Sequence, residues 1–148
     1  MKIRICTTLI IQKLQNPKEE WINPLNGVIT SNFGDRDNPT SSGNQYHKGI
    51  DIGVPLNTKV MAVKSGKITD VGYSNSYGYY VKYKTYDKYD ILCAHLDSVT
   101  VKKGDNVIQG DVVAYSGNTG DSTGPHLHYE IKLGDEYINP VNYYKIIN

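Results

Sequence analysis

Hydrophobic and polar positions along this chain alternate in short bursts, and no segment carries a helical stripe of useful length. Runs rich in Val, Ile, Thr and Tyr are interrupted roughly every ten residues by Gly and Asn turns, a spacing that predicts an all-β domain, mainly antiparallel, with few or no helices. The expected strands are residues 27–31, 59–63, 66–73, 79–86, 90–95, 112–116 and 126–133. Residues 1–20 have no clear period and end in the polar Asn16-Pro17-Lys18-Glu19-Glu20, so they read as a lead-in or linker. The domain proper is expected over 21–148.

Between 101 and 114 a Gly-Asp turn occurs twice, at Gly104-Asp105 and Gly110-Asp111. This resembles the hairpins of biotinyl and lipoyl carrier domains, and it points to a barrel-sandwich-like arrangement. Such a hairpin shapes a fold and carries no chemistry itself.

Composition narrows the picture. The length of 148 residues suits one domain with its own core. A net charge of +1 argues against capture by nucleic acid or an anionic membrane, which need a concentrated basic patch. Lys2 and Arg4 precede an apolar run from Ile5 to Ile11, but Gln12 and Lys13 cut it short and no small-residue cleavage site follows, so no signal peptide is expected. No stretch approaches the roughly 18 apolar residues of a membrane span. Cys6 and Cys93 are too few and too far apart for a disulfide framework and are expected as unpaired thiols.

The four histidines carry the chemistry. They stand in His47-Lys48-Gly49-Ile50-Asp51, in Ala94-His95-Leu96, and in Gly124-Pro125-His126-Leu127-His128-Tyr129-Glu130. Side chains two apart on a strand share a face, so His126 and His128 project together and one metal can feel both. His47 and Asp51, four apart, would be separated by about 13 Å on a straight strand. The backbone must therefore bend between them, with Gly49 as the permissive residue of a kink or bulge. Three ligands of the types His, Asp and His, with a fourth position open to water, are what hydrolytic zinc requires, and further imidazoles nearby can shuttle protons or stabilise an oxyanion.

These residues, in this order, resemble the lysostaphin and LytM type of zinc peptidoglycan endopeptidases. The similarity starts at Pro24-Leu25-Asn26-Gly27, passes through Arg36-Asp37-Asn38-Pro39 and the three histidine motifs, and closes at Ile138-Asn139-Pro140. It implies Zn²⁺ held by His47, Asp51 and His128, and a catalytic pair of His95 and His126. It also implies an antiparallel sheet with a groove over it. The implied substrate is a stem peptide or cross-bridge of bacterial peptidoglycan, cut at the cell wall, outside the cell or from a virion if phage-encoded.

Four other residues are singled out. Glu130 shares the strand face of His128 and can orient a histidine. Tyr46 can hydrogen-bond an oxyanion, Arg36 can pin its loop, and Cys93 reads as a small buried apolar residue. The competing reading is a catalytically inactive wall-binding or regulatory member of the same fold, and such members usually lack one or more ligands. A biotinyl or lipoyl carrier would leave all four histidines idle.

Overall fold

The structure, a computed structural model, describes residues 19–36 and 45–147. Cys6, the apolar run before Gln12 and most of the 1–20 lead-in lie outside the described residues, as does most of the loop before Tyr46. The strands are β1 (Val28–Ser31), β2 (Gly34–Arg36), β3 (Gln45–His47), β4 (Ile50–Gly53), β5 (Lys59–Met61) and β6 (Gly66–Ser74). They continue with β7 (Gly78–Thr85), β8 (Tyr89–Val99), β9 (Asn106–Val107), β10 (Val112–Ser116), β11 (His126–Leu133) and β12 (Glu136–Ile138). A single 3-10 turn, Pro140–Tyr143, is the one helical segment among the described residues. The all-β expectation holds, and every pairing among the described strands is antiparallel.

The main sheet follows an open path, β1-β4-β11-β8-β7-β6-β9, with β12 added to β11 and β10 joining β5 to β8. Strands β2 and β3 form a separate small sheet. Alternation decides what each face carries. On β11, Leu127, Tyr129 and Ile131 are buried in the core, and His126, His128, Glu130 and Lys132 stand on the other face. Strand β4 sends Ile50 and Ile52 into the same core and so presents Asp51 beside His128, its register partner. Cys93 is buried there too, and burial followed by the charge of Glu130 pushes its thiol up to about 12, which makes it inert.

Five strands were not expected: β2, β3, β4, β9 and β12. The first, second, fourth and fifth of these are two or three residues long, too short to show a period. Strand β4 has the right alternation but follows Gly49 and ends in Gly53, which in sequence read as a bent loop. Gly49 has a different reason to be glycine: a Cβ there would lie 2.2 Å from the carbonyl oxygen of Tyr129. The residue is small so that β4 can lie against β11. The bend between His47 and Asp51 arises because β3 belongs to the small sheet and β4 to the large one.

The two Gly-Asp turns are built alike. Gly104 and Gly110 adopt φ of 96° and 93°, and the following Asp105 and Asp111 accept the backbone N–H of Lys102 and Ile108.

Strand β8 contains the irregularity that matters most. Its pairing with β7 runs from Val81↔Cys93 to Tyr79↔Leu96, so two steps on β7 are matched by three on β8. The extra residue is a bulge, and His95 within it has φ of 60°. Ala94 lies across from His128, so plain alternation would send His95 toward the core with Cys93. The bulge turns it to the other face and returns Leu96 to the core.

Candidate active site

Four segments meet over the polar face of the sheet: the β3 end, β4, the β8 bulge and β11. His47 Nε2, Asp51 Oδ1 and His128 Nδ1 lie within 4.8 Å of one another. The individual separations are 3.2 Å between His47 and His128, 3.3 Å between His47 and Asp51, and 2.8 Å between His128 and Asp51. A tetrahedral shell with bonds near 2.0–2.1 Å separates ligand atoms by roughly 3.3 Å, so the three atoms already stand close to that spacing. Two imidazoles and a carboxylate are a donor set that fits Zn²⁺.

The outward nitrogen of each imidazole fixes which nitrogen faces the cluster. His47 donates from Nδ1 to the Asn32 carbonyl (2.8 Å), leaving the Nε2 lone pair toward Asp51. His128 is reversed: its Nε2–H donates to Glu130 Oε1 (2.9 Å) and Nδ1 faces the cluster. Tyr77 donates its hydroxyl to the same Glu130 oxygen (3.0 Å) and stacks on the His128 ring. A carboxylate behind a metal-facing imidazole fixes its tautomer and raises its basicity.

Burial alone would hold the His128 imidazole down, but its bonds to Asp51 and Glu130 outweigh burial and raise it to about 9. Asp51 feels the same contest: burial would raise it, and His128 and His47 hold it well below the usual carboxylate range. Glu130 is also lowered, against burial, chiefly by His128.

His95 and His126 flank this cluster, with ring centroids 4.7 Å apart. His95 donates from Nδ1 to the Thr119 carbonyl (2.8 Å), and His126 from Nδ1 to the Gly124 carbonyl (2.8 Å), with the Ser122 hydroxyl 3.1 Å away. A carbonyl only accepts, so in both rings Nδ1 carries the proton and Nε2 remains for chemistry. His126 Nε2 is 3.8 Å from Asp51 Oδ1. Burial lowers the pKa of His95 against its bond to Thr119, and the neighbouring imidazoles lower it further. All five side chains line one open cleft with Tyr77 and Ser122.

The model of Peptidase family M23 matches residues 45–140. The chain belongs to this family. Among M23 relatives, it is 40% identical over 114 residues to the DD-carboxypeptidase/endopeptidase Mpg of Neisseria meningitidis, covering 77% of this chain and 26% of that protein. Its fold is similar to a zinc-containing peptidase from Vibrio cholerae (TM-score 0.77, 30% identity, 81% of this chain and 39% of that one). It is also similar to the catalytic domain of lysostaphin from Staphylococcus simulans (TM-score 0.68, 30% identity, 76% and 87%). The chain spans 31% and 26% of the length of two curated relatives it matches.

Within this M23 domain the structure brings all five expected site residues together. Of the others, Glu130 is buried against His128. Tyr46 is exposed, packs edge-on against Phe33 and does not line the cleft. Arg36 lies on β2 with its side chain outside the described residues. Sequence reasoning missed Tyr77, one tyrosine among 13. It also missed the carbonyls of Asn32, Thr119 and Gly124, which no residue type encodes.

Proposed function

We propose that this domain is a zinc-dependent endopeptidase that hydrolyses peptide bonds in the stem peptides or cross-bridges of bacterial peptidoglycan, acting at the cell wall. The observation that carries this reading is a cleft with three ligand atoms at metal spacing and two imidazoles presenting Nε2 beside them. His47 would hold Zn²⁺ through Nε2, Asp51 through Oδ1 and His128 through Nδ1. The bound ion supplies a Lewis acid that polarises the scissile carbonyl and acidifies water.

The remaining work falls to the chain's own groups. His95 and His126, each locked at Nδ1, present a bare Nε2 to the cleft, and the one that takes a proton from the attacking water becomes an imidazolium that returns it to the departing amine. Glu130 and Tyr77 keep the His128 ring oriented, and the His47 ring is kept by the Asn32 carbonyl. The non-cutting alternative is disfavoured by the presence of every group that hydrolysis needs. The name of the Mpg relative, a carboxypeptidase and endopeptidase, supports the reaction class.

The test is direct. Protein purified without chelator should carry about one zinc per chain and release new amino termini from purified walls, and chelation should stop this until zinc is restored. His47→Ala should carry no zinc and cut nothing. Zinc-loaded protein that leaves every wall type intact would overturn the proposal.

A further inference from the structure

The polar face of the sheet does not end at the metal cluster. Two residues beyond His128 on β11 comes Glu130, and two beyond that comes Lys132. Register places Glu130 in one row with Leu92 of β8 and Lys82 of β7, and Lys132 in the next row with Asp90 and Lys84. A second cavity lies over these rows, and its walls hold the carboxylates Asp90 and Glu130 as well as Lys82, Lys132, Leu92 and Tyr137. Tyr77 lines both this cavity and the catalytic cleft, so the two adjoin across its ring.

The charges here are unevenly satisfied. Every carboxylate of these rows has a protein partner: Glu130 has His128 and Tyr77, Asp90 has Lys84 (3.9 Å), and Asp70, across from Lys82, accepts from the Tyr80 hydroxyl. The lysines do not. Among the described residues the ammonium of Lys132 rests over the Tyr137 ring at 5.5 Å and that of Lys82 over Tyr80 at 5.6 Å, and neither forms an ion pair. Lys48 also rests over the Tyr137 ring, at 5.3 Å, but does not line the cavity. A ring face holds an ammonium in place without neutralising it, so the cavity offers fixed cationic donors and no unpartnered anion.

We infer that this cavity is a substrate subsite that binds a free carboxylate of the wall peptide through Lys82 and Lys132. The inference rests on the endopeptidase reading. Four steps along β11 lead from His128 to Lys132, roughly 13 Å, which is about the span of four extended peptide residues. The carboxylate therefore belongs to a neighbouring part of the peptide, away from the scissile bond. Binding there adds affinity and register and leaves the chemistry to the cleft.

The experiment uses purified peptidoglycan and the same material after carbodiimide amidation, which turns its free carboxylates into carboxamides. Zinc-loaded wild-type protein should show a kcat/KM about tenfold or more higher on the unmodified wall, because two charge-assisted hydrogen bonds are lost on amidation. In the Lys82→Gln/Lys132→Gln double variant that ratio should fall to near one, and Lys103→Gln, an exposed turn position outside the cavity, should keep the wild-type ratio. Equal rates of the wild type on both walls, or an unaltered ratio in the double variant, would overturn the subsite alone. No turnover of either wall would overturn the endopeptidase reading and this one with it.

Discussion

An amide nitrogen leaves a tetrahedral carbon only when it is protonated, so a positioned imidazole is worth roughly 10²- to 10⁴-fold in rate. His95 and His126 hold no ligand position, and carbonyls fix both rings. His95→Ala and His126→Ala should therefore each keep near-stoichiometric zinc and a β-sheet spectrum while wall cleavage falls at least about a hundredfold. Wild-type turnover in either would make that histidine a structural neighbour. His128 yields a pH prediction. Its imidazole, raised from an ordinary 6.5 to about 9, stabilises the metal-free fold below the lower value, and that stability is lost as pH rises through the upper one. Zinc bound through Nδ1, as proposed, would displace that proton. Zinc affinity should climb about tenfold per pH unit from neutral toward 9, with about one proton released per ion near neutrality, measurable by calorimetry in buffers of different ionisation enthalpy. A pH-independent affinity over that range would show that His128 Nδ1 is not displaced.

At the scale of elements, the site depends on how three strands lie together. Asp51 and His128 meet because β4 and β11 pair in register, and that pairing needs the bare Gly49 against the Tyr129 carbonyl. Gly49→Ala should force the strands apart at this point and cost about 1–3 kcal/mol by overpacking. Its zinc affinity should fall with its thermal stability, since the same displacement parts two ligands. A variant with wild-type melting and zinc binding would show that β4 can shift without consequence. The bulge in β8 is the second such element. Left-handed backbone at a non-glycine residue is strained, and here the strain points an imidazole into the cleft. From sequence the strand could be placed at 90–95, but nothing in Ala94-His95-Leu96 announced an extra residue, because bulges follow from the match between two strands.

Across the whole molecule, residues at both ends of the described chain come together around Lys64 and Ser65. Glu19 accepts the backbone N–H and hydroxyl of Ser65 (2.7 and 2.8 Å), Gln109 donates to the Glu20 carbonyl, and Trp21 stacks on Tyr143 with the Lys64 ammonium over its ring. Removing residues 1–18 should leave wall cleavage intact, as no site residue precedes Trp21. Removing two more should lower the melting temperature, because Ser65 would lose its carboxylate partner. Loss of turnover in the shorter deletion, with fold and zinc retained, would place part of the site in that segment. The sequence by itself determined the β class and the outward face of His126 and His128, because strand alternation is a local property that follows from the pleat. The family resemblance carried by its motifs also singled out the five residues that the structure brings into one cleft. Only the tertiary structure decided that His47 and Asp51 approach from different sheets and that His95 faces the cleft against its alternation. It likewise decided that Tyr77 joins Glu130 behind His128, and that Asn32, Thr119 and Gly124 offer their carbonyls to three rings. Those are contacts between residues 15 to 81 positions apart or between a ring and a backbone, and such contacts are set by register and packing rather than by any residue's own preference.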